Sequence, residues 1–422
     1  MARSTIWHPF TQHGLEPLET EIYRGKGAWL ETTENKRILD AISSWWVVTH
    51  GHRHPAIVAA INKQAERLDQ VIFAGFTHPT ADKLANKLVS IAPPGLAHVF
   101  FSDSGSTAVE VAIKMALGYW RGLGEPRTRI AALDHGYHGD TVGTMSVGAR
   151  GVFNAAYEPL LFDVVRIPFP DAGREQATMD ALEAACREAP LAALIVEPLI
   201  AGAGGMRTYS AAALAEMKRA CAHHGALMIA DEVMTGWGRT GTLFACEQAG
   251  VTPDILCLAK GITGGSLPLA ATLASPAVYD AHYSNDRARA LFHSSSYTAN
   301  AICCAAALAN VTIWEEEPVL DRIGRLAEMQ LTHMAALAED PRFENPRCLG
   351  TIAAIDLKAQ DAGYLAAAGP ALRAHFLSEG VLLRPLGNTI YVMPPYCTTA
   401  NDLALAYEAI RTIPAELTAT HA

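Results

Sequence analysis

Residues 226–232 have the sequence Ala-Leu-Met-Ile-Ala-Asp-Glu, and residues 253–261 have the sequence Pro-Asp-Ile-Leu-Cys-Leu-Ala-Lys-Gly. Each stretch is a short apolar run that is followed by a charged side chain, Asp231 in the first and Lys260 in the second. Similar runs alternate with amphipathic helical patterns along the middle of the chain, which predicts βαβ units and an α/β fold with a mostly parallel sheet. Strands are expected over 99–101, 129–133, 191–196, 226–230 and 255–258, and helices over 107–119 and 211–223.

The pattern changes near residue 311, where charged helices and shorter alternating strands begin. Strands predicted over residues 347–357, 381–384 and 389–393 indicate a smaller α+β domain that covers residues 311–422. Residues 51–310 form the predicted large domain. The first 50 residues are predicted to be a partly looped, strand-rich segment that packs near the C-terminal domain.

The composition of the 422-residue chain narrows the class of protein. Hydrophobic residues make up 50% and charged residues 18%, with a formal net charge of −10. This combination excludes intrinsic disorder, and the acidic balance argues against nucleic-acid binding. Because soluble domains usually have about 25% charged residues, the composition predicts additional buried surface, in a large core or against another subunit.

Neither a membrane span nor a secreted scaffold is expected. The apolar runs are shorter than the roughly 18 residues that a bilayer requires, and the first ten residues lack the apolar core of a signal peptide. The eight cysteines include no CxxC pair, and their spacing indicates neither a zinc site nor a disulfide framework. We therefore expect a reduced, cytoplasmic protein.

A candidate phosphate site follows the first predicted strand of the large domain, where Ser102-Asp-Ser-Gly-Ser-Thr107 leads into a helix. Thr107 and Glu110 fit a capping box, which would start the helix there. The backbone N–H groups and hydroxyls at residues 105–107 would then suit a phosphate. Taken alone, the motif is more simply explained as an ordinary capped turn.

Lys260 and Asp231 make the stronger case for a functional site. An ammonium at the end of an apolar strand is costly to bury without a partner. Burial also lowers the pKa of a lysine, so that it can form a Schiff base. A lysine for an aldehyde, an aspartate for a pyridinium nitrogen and a nearby phosphate site together describe a pyridoxal phosphate site. A buried Asp–Lys salt bridge remains the alternative.

Three other patterns give weaker signals. Residues 236–241, Gly-Trp-Gly-Arg-Thr-Gly, match the dinucleotide fingerprint, but that fingerprint must join a strand directly to a helix. A dinucleotide-dependent oxidoreductase is thus the alternative from a different enzyme class. His50, His52 and His54 alternate, yet Gly51 interrupts them and no carboxylate follows, so we expect a turn with hydrogen-bonded histidines and no metal. The serines at 294–296 lack the GxSxG elbow of hydrolases.

Taken together, these residues resemble the class III aminotransferases of the type I pyridoxal phosphate fold, over essentially the whole chain. The resemblance implies a large domain with a mostly parallel sheet, a small α+β domain made from both termini, and a homodimer. General motifs of the class are Asp103-Ser-Gly-Ser106, Gly136-Tyr-His-Gly-Asp140, Glu197-Pro198, Asp231-Glu232 and Leu258-Ala-Lys-Gly261. Motifs similar to those of the members that serve biotin biosynthesis are Trp7-His-Pro-Phe-Thr11, Ser43-Ser-Trp-Trp46 and residues 384–396.

The resemblance assigns roles around the cofactor. Lys260 would hold pyridoxal phosphate as a Schiff base and move the proton, Asp231 would pair with the pyridinium nitrogen, and Tyr137 would stack on the ring. These three are the implied catalytic residues. The residues implied to bind the cofactor are Gly105, Ser106, Tyr137, Asp231 and Lys260, together with Ser295 and Ser296 from the partner subunit.

It also implies the reaction, a ping-pong transfer of an amino group to 8-amino-7-oxononanoate that gives 7,8-diaminononanoate. The implied donor is S-adenosylmethionine, with lysine as an alternative, and Arg384 would bind the substrate carboxylate as a bidentate fork. Phe10 replaces a tyrosine that is usual in these enzymes. Another class III enzyme, acting on ω-amino acids or diamines, is the alternative function. The implied substrate-binding residues are Phe10, Trp45, Trp46, Tyr137, Arg239, Lys260, Ser294 and Arg384.

The implied homodimer also accounts for the low charge of the chain. If residues 294–296 complete the partner's phosphate site, the enzyme needs a permanent dimer, and obligate interfaces of this kind are apolar. The composition then predicts an interface that buries more than about 2,000 Å² in total.

Overall fold

The computed structural model describes residues 5–15, 20–358 and 368–417. Residues 1–4 and 16–19 of the predicted N-terminal segment lie outside this range. So do residues 359–367 and 418–422 of the predicted C-terminal domain. Among the residues described, no helix has the length and apolar character needed to cross a membrane.

The secondary structure alternates in the middle of the chain, as expected for an α/β fold. The strands are β1 (Ile22–Lys26), β2 (Trp29–Thr32), β3 (Arg37–Asp40), β4 (His98–Ser102), β5 (Ile130–Leu133), β6 (Val165–Ile167), β7 (Ala193–Val196), β8 (Ile200–Ala201), β9 (Arg207–Thr208), β10 (Leu227–Asp231), β11 (Ile255–Leu258), β12 (Ala270–Ala274), β13 (Phe343–Leu349), β14 (Ile352–Leu357), β15 (Val381–Leu382) and β16 (Thr389–Val392).

The helices cover the rest of the ordered framework. They are α1 (Ser43–Trp46), α2 (Pro55–Ala65), α3 (Pro79–Ile91), α4 (Gly105–Gly122), α5 (Val142–Val147), α6 (Glu175–Glu188), α7 (Ala211–His223), α8 (Pro276–Asp280), α9 (Ala301–Glu316), α10 (Val319–Ala338), α11 (Ala368–Ser378) and α12 (Ala400–Arg411). Short 3-10 turns span Ala155–Leu160, Ala245–Ala249, Lys260–Thr263, Arg287–Arg289 and Ala415–Leu417.

The large domain is built on a seven-stranded sheet with the order β4-β12-β11-β10-β7-β5-β6. Every pairing from β11 to β6 is parallel, and only β12 runs antiparallel to both of its neighbours. The predicted mostly parallel sheet is therefore confirmed. Because the sheet is covered on both faces, its strands are buried runs: Ile195 packs in the cluster under α4, while Leu194 and Val196 pack in the cluster under α6 and α7.

The strand predictions are right in position and differ mainly at the ends. The predicted helix over 211–223 matches α7, and the predicted strand over 255–258 matches β11. The single strand predicted over 347–357 is wrong, because Gly350 adopts a left-handed φ of 57°. That glycine makes a tight turn, and the segment forms the hairpin of β13 and β14 instead.

The start of α4 also differs from the prediction. The capping box is formed by Ser104 and Thr107, and the helix begins at Gly105. The predicted partner Glu110 lies one turn further along, where its carboxylate accepts hydrogen bonds from Thr141 Oγ1 at 2.6 Å and Gly143 N at 2.8 Å. The predicted pairing of Thr107 with Glu110 is therefore wrong, although the helix N-terminus lies close to its expected place.

The two ends of the chain meet in one sheet. Strands β1, β2 and β3 form an antiparallel meander, and β15 pairs in parallel with β3 through Val381 and Leu39. Strands β13, β14 and β16 form a second, antiparallel sheet. One hydrophobic cluster contains residues of both sheets, among them Leu39 and Ile390, together with Phe376 of α11. The N-terminal strands thus share a core with the C-terminal part of the chain.

Candidate active site

Lys260 and Asp231 are brought together by the pairing of two parallel strands. Strand β10 ends at Asp231, which lies opposite Cys257 of β11, and the chain reaches Lys260 three residues later. Both side chains line a cavity of about 490 Å³ at the carboxyl edge of the sheet. This is the position in which open α/β sheets bind their ligands.

Lys260 begins a tight turn rather than extending the strand. Its φ of 44° lies in the left-handed region, which is uncommon for a residue with a side chain. Gly261 follows because a Cβ there would lie 2.8 Å from Cβ of Trp237 and 3.0 Å from Cγ2 of Thr49. Burial lowers the pKa of Lys260, and its Nζ lies 5.1 Å from the ring centre of Trp46. A lysine in this state supplies a neutral amine more readily than an exposed lysine does.

The carboxylate of Asp231 is held from two sides. Its Oδ2 lies 2.7 Å from Nδ1 of His138, and its Oδ1 accepts a hydrogen bond from Val233 N at 3.1 Å. Asp231 is 4% exposed, so this charge has little water around it. A buried carboxylate that opens to a cavity is suited to bind a cationic ring nitrogen.

The candidate anion site predicted from the sequence lies where α4 begins. Ser104 caps the helix, and the first helical N–H groups, at Gly105 and Ser106, have no preceding turn of helix to accept them. A Cβ on Gly105 would lie 2.6 Å from Cγ1 of Val233, and one on Gly139 would lie 2.1 Å from Oγ of Ser106. The backbone at Gly105 and Gly139 therefore has no room for a side chain. Because Gly105 and Ser106 line the cavity, their N–H groups are candidates to bind a phosphate.

Tyr137 is held against the cavity through its backbone. Its N–H donates to Glu197 Oε1 at 3.0 Å, and Gly202 N donates to Glu197 Oε2 at 3.1 Å. Burial raises the pKa of Glu197 to about 7. Burial also raises the pKa of the Tyr137 phenol, which keeps its hydroxyl protonated at neutral pH. Tyr137 thus presents a fixed, uncharged aromatic face.

The opposite wall of the cavity is aromatic and carries one cation. The ring of Trp45 lies 5.6 Å from that of Phe10, which in turn lies 5.9 Å from Phe153. The guanidinium of Arg384 lies over Trp45 at 5.2 Å and donates to Phe10 O at 3.1 Å. An apolar trough with a cation at one end is suited to an aliphatic carboxylic acid.

The paired tryptophans occupy a strained turn. Ser43, Ser44 and Trp46 all have a positive φ, between 55° and 66°. Such a turn persists only where its surroundings hold it. Here Ser43 Oγ donates to Met393 O at 2.8 Å, and Trp46 Nε1 donates to the Tyr391 hydroxyl at 2.9 Å. As a result Trp46 is buried at 6% exposure, while Trp45 is 43% exposed and faces the cavity.

Four predicted site residues do not line this cavity. Arg239 is 1% exposed, and its guanidinium donates to the backbone carbonyls of Pro394, Trp46 and Val48 at 3.0–3.3 Å. It fastens the tryptophan turn to the segment after β16, and it is not among the residues that line the cavity.

The other three are Ser294, Ser295 and Ser296, which are absent from the lining of the cavity within this chain. The contribution of Ser295 and Ser296 to the partner's site stays a prediction. Ser295 Oγ donates to Asp103 Oδ2 at 2.6 Å, and the Ser296 carbonyl accepts from Gln70 Nε2 at 2.9 Å. Only Asp103 of these partners faces the cavity.

The cavity also contains side chains without a predicted role. His138 and Tyr391 lie inside quoted motifs, yet nothing in the spacing indicates that His138 contacts Asp231. Glu197 lies in a quoted motif at the end of β7, but no role is predicted for it, and Phe153 depends on a loop whose path no local pattern reveals. The other predicted residues line the cavity together: Phe10, Trp45, Trp46, Gly105, Ser106, Tyr137, Asp231, Lys260 and Arg384.

Comparisons with known proteins agree with this chemistry. The family described as aminotransferase class-III matches residues 10–413. A relative from Synechococcus elongatus, named adenosylmethionine-8-amino-7-oxononanoate aminotransferase, is 46% identical over 96% of this chain and 97% of its own length.

Two solved structures are similar to the whole fold. The enzyme of the same name from Methanocaldococcus jannaschii has a TM-score of 0.92 and 35% identity, covering 96% of this chain and 97% of its own. An amine transaminase from an uncultivated Pseudomonas species, in a PLP-bound form, also has a TM-score of 0.92. It is 33% identical and covers 97% of this chain and 98% of its own.

Proposed function

The chain belongs to the class-III aminotransferases, and from that premise we propose that it transfers an amino group from S-adenosylmethionine to 8-amino-7-oxononanoate. The product is 7,8-diaminononanoate. The names of the relatives in Synechococcus and Methanocaldococcus support this substrate pair. The cavity supports it independently, because one side of the cavity suits the cofactor and the opposite, aromatic side suits the acceptor.

Pyridoxal phosphate is the cofactor that fits the side of the cavity formed by the ends of the strands and the start of α4. Lys260 would bind its aldehyde, Asp231 its ring nitrogen, and the amides of Gly105 and Ser106 its phosphate. When bound, the cofactor supplies a carbonyl that accepts the amino group and a ring that withdraws electrons from the reacting carbon. The position of Gly105 and Ser106 supports this fit, since both line the cavity at the start of the helix that Ser104 caps.

Lys260 then acts as the group that moves a proton at the substrate carbon bearing nitrogen. Burial lowers the pKa of its ammonium, so the amine can accept that proton and return it. Asp231 stays in place because His138 and the backbone at Val233 hold its two oxygens. Tyr137 and Trp46 line the same cavity, where Lys260 Nζ lies 5.1 Å from the ring centre of Trp46, so their rings would help to exclude water from the reacting atoms.

The opposite, aromatic side recognises the acceptor. A nine-carbon keto acid has an apolar chain and a distant carboxylate, and the aromatic trough that ends at Arg384 offers a partner for each. This juxtaposition of Lys260 and Asp231 with Arg384 across one cavity is the observation that carries the proposal. Phe10 presents a ring without a hydroxyl here, so recognition at that point is by contact and not by a hydrogen bond.

We further propose that the enzyme is a cytoplasmic homodimer. The segments at 69–76 and 292–300 are tied together, since Asn300 Nδ2 donates to Asp69 O at 2.9 Å. They expose large apolar side chains next to the serine loop, with Ile72, Phe76, Phe292 and Tyr297 each more than 60% exposed. An apolar surface of this kind is typical of a subunit interface. Eight unpaired cysteines fit a reducing compartment.

The donor and the acceptor are tested together. The purified enzyme, loaded with pyridoxal phosphate, is given 8-amino-7-oxononanoate with S-adenosylmethionine, lysine or a simple primary amine, and 7,8-diaminononanoate is measured by mass spectrometry. Product formation with S-adenosylmethionine supports the proposal, and product formation with lysine alone overturns the donor assignment. An enzyme that aminates pyruvate from simple amines but leaves 8-amino-7-oxononanoate unchanged would overturn the proposed function.

A further inference from the structure

The three alternating histidines at 50, 52 and 54 play no part in the proposed reaction, yet each has a separate partner. His52 Nε2 lies 2.8 Å from Asp40 Oδ2, and His54 Nε2 lies 3.4 Å from Glu317 Oε1. His50 Nε2 lies 2.8 Å from Oδ1 of Asn310, in the middle of α9. The described residues contain no group of three or more side chains arranged to hold a metal. The contact between His50 and Asn310 connects this motif to the turn that follows Lys260.

Asn310 connects His50 to the turn that follows Lys260. Its Nδ2 donates to the carbonyls of Gly261 and Ile262, both at 3.1 Å. Asn310 is 0% exposed and His50 is 5% exposed, so water offers neither of them a replacement partner. A buried amide that lost these contacts would carry the full cost of its desolvation.

The hydrogen bonds fix the direction of every group in this network. Carbonyl oxygens only accept, so the NH₂ group of Asn310 must face Gly261 and Ile262, which leaves its Oδ1 to face His50. The proton of His50 is then on Nε2, and its Nδ1 has no partner. Burial lowers the pKa of His50 to about 4, so the ring is neutral at physiological pH. All groups in the network are neutral, and each donates to the next, from His50 through Asn310 to the backbone carbonyls.

The turn that receives these bonds needs external support. Lys260 has a φ of 44°, and the following 3-10 turn contains only four residues. The backbone hydrogen bonds at the ends of the turn run from Ile262 N to Ala259 O at 3.0 Å and from Gly264 N to Gly261 O at 2.9 Å. A lysine in the left-handed region is strained and persists only when neighbouring contacts fix it.

We propose that His50 and Asn310 are positioning residues that fix the turn after Lys260 and so hold the lysine side chain toward the cavity. Neither of them lines the cavity, and both act only through the backbone of Gly261 and Ile262. The proposal rests on the proposed function, because it assumes that Lys260 is the group that reacts.

The first test removes the donor from His50 and then restores one. His50→Leu leaves Oδ1 of Asn310 without a partner, whereas His50→Gln keeps an N–H donor. We expect His50→Leu to lower kcat per cofactor-bound site by about tenfold or more, since small displacements of a catalytic group cost up to about 100-fold. His50→Gln should stay within about threefold of the wild type, and KM should change little in both variants. His54→Gln is the matched control: its ring contacts that of His50 and its Nε2 lies 3.4 Å from Glu317 Oε1, but it makes no hydrogen bond to Asn310, so kcat should stay unchanged.

The second test reverses the polarity at Asn310. In Asn310→Asp a carboxylate faces two carbonyl oxygens, with almost no change in side-chain volume. We expect the pH midpoint of the visible absorbance of the bound cofactor to shift by about half a unit or more, because the lysine environment changes. In the cofactor-free protein, the amides of Ile262 and Gly264 should exchange hydrogen faster than in the wild type. If this variant does not fold, the His50→Leu and His50→Gln pair carries both measurements.

The outcomes separate the two claims. Loss of melting temperature in His50→Leu with unchanged kcat per bound site, unchanged absorbance midpoint and unchanged amide exchange would show a purely structural role and overturn the inference. Failure of His50→Gln to recover activity would overturn it as well. If the wild type itself gave no visible absorbance with pyridoxal phosphate, the proposed function would fail instead.

Discussion

His138 Nδ1 lies 2.7 Å from Oδ2 of Asp231, although the two residues lie on segments that are not neighbours in the sheet. His138 follows β5, Asp231 ends β10, and β7 lies between those strands. The contact therefore spans the carboxyl edge of the sheet. It orients the carboxylate that would pair with the ring nitrogen of the cofactor.

Removing the charge of Asp231 should nearly abolish activity. In Asp231→Asn the group that stabilises a cationic ring nitrogen is neutral, so we expect kcat to fall by about 100-fold or more. Stopped-flow kinetics and the affinity for pyridoxal phosphate measure this change. Asp254→Asn is the matched control, since Asp254 binds Lys218 and Met228 N at the other end of β10. Equal kinetic losses in the two variants would show that the effect at Asp231 is not specific to the site.

Truncating Arg384 should weaken use of the acceptor. Its guanidinium stands over Trp45 at the end of the trough, and Arg384→Ala leaves the substrate carboxylate without a charged partner. We expect a loss of about 2–4 kcal/mol in kcat/KM for 8-amino-7-oxononanoate. Arg384→Lys keeps the charge but not the bidentate geometry, so its kcat/KM should lie between those of the wild type and Arg384→Ala. An unchanged kcat/KM in Arg384→Ala would refute the role.

Gly105 should not tolerate a side chain. In Gly105→Ala the new Cβ would lie 2.6 Å from Cγ1 of Val233, so the start of α4 or residue 233 must shift. We expect a loss of about 1–3 kcal/mol in unfolding free energy, and weaker binding of pyridoxal phosphate. Isothermal titration and urea unfolding measure the two effects.

Gly324→Ala is the control for that substitution, because no atom lies within 4 Å of its Cβ position in α10. It should stabilise the protein by about 0.5–1 kcal/mol without affecting the cofactor. Unaltered cofactor affinity in Gly105→Ala would contradict the assignment of the phosphate site.

Glu232 should make stability depend on pH near neutrality. Burial raises its pKa from 4.5 to about 7, although Ala245 N and Cys246 N donate to its oxygens. Between these values the folded state holds a proton that the unfolded state has released. Its contribution to stability is therefore complete below pH 4.5 and is lost as pH rises through 7.

The measurement compares the wild type with Glu232→Gln, both without cofactor, by urea unfolding at pH 5, 6 and 7. The unfolding free energy of the wild type minus that of the variant should decrease with rising pH, by at most about 1.4 kcal/mol per unit. The lost hydrogen bonds of the variant add an offset that does not vary with pH. A difference that is constant or increases over this range would show that the pKa is not raised.

The large sheet and the charged residues at its edge can be predicted from the sequence more accurately than the turns and helix caps around them. Buried strands such as β11 have an apolar pattern that local residues determine, and Lys260 stands out because a charge there is costly. The hairpin of β13 and β14 is merged into one strand because the left-handed turn at Gly350 leaves no trace in the hydrophobic pattern. Thr107 is assigned to the wrong capping pair because Ser104, three residues earlier, is also a residue type that caps helices.

Long-range contacts account for what the sequence does not predict in the site. The partnership of His138 with Asp231, and that of Asn310 with the turn after Lys260, join segments 49 to 93 residues apart. Arg239 resembles a residue near the substrate, but three backbone carbonyls bind its guanidinium and it does not line the cavity. No local pattern contains these relationships.

The central claim is that Lys260 is the residue that binds the cofactor covalently. The enzyme is incubated with pyridoxal phosphate, reduced with sodium borohydride and digested, and its peptides are identified by mass spectrometry. We predict loss of the visible absorbance on reduction and a pyridoxyl group on Lys260, with Lys260→Ala remaining unmodified. An unmodified Lys260, or the same modification on another lysine in both proteins, would contradict the account.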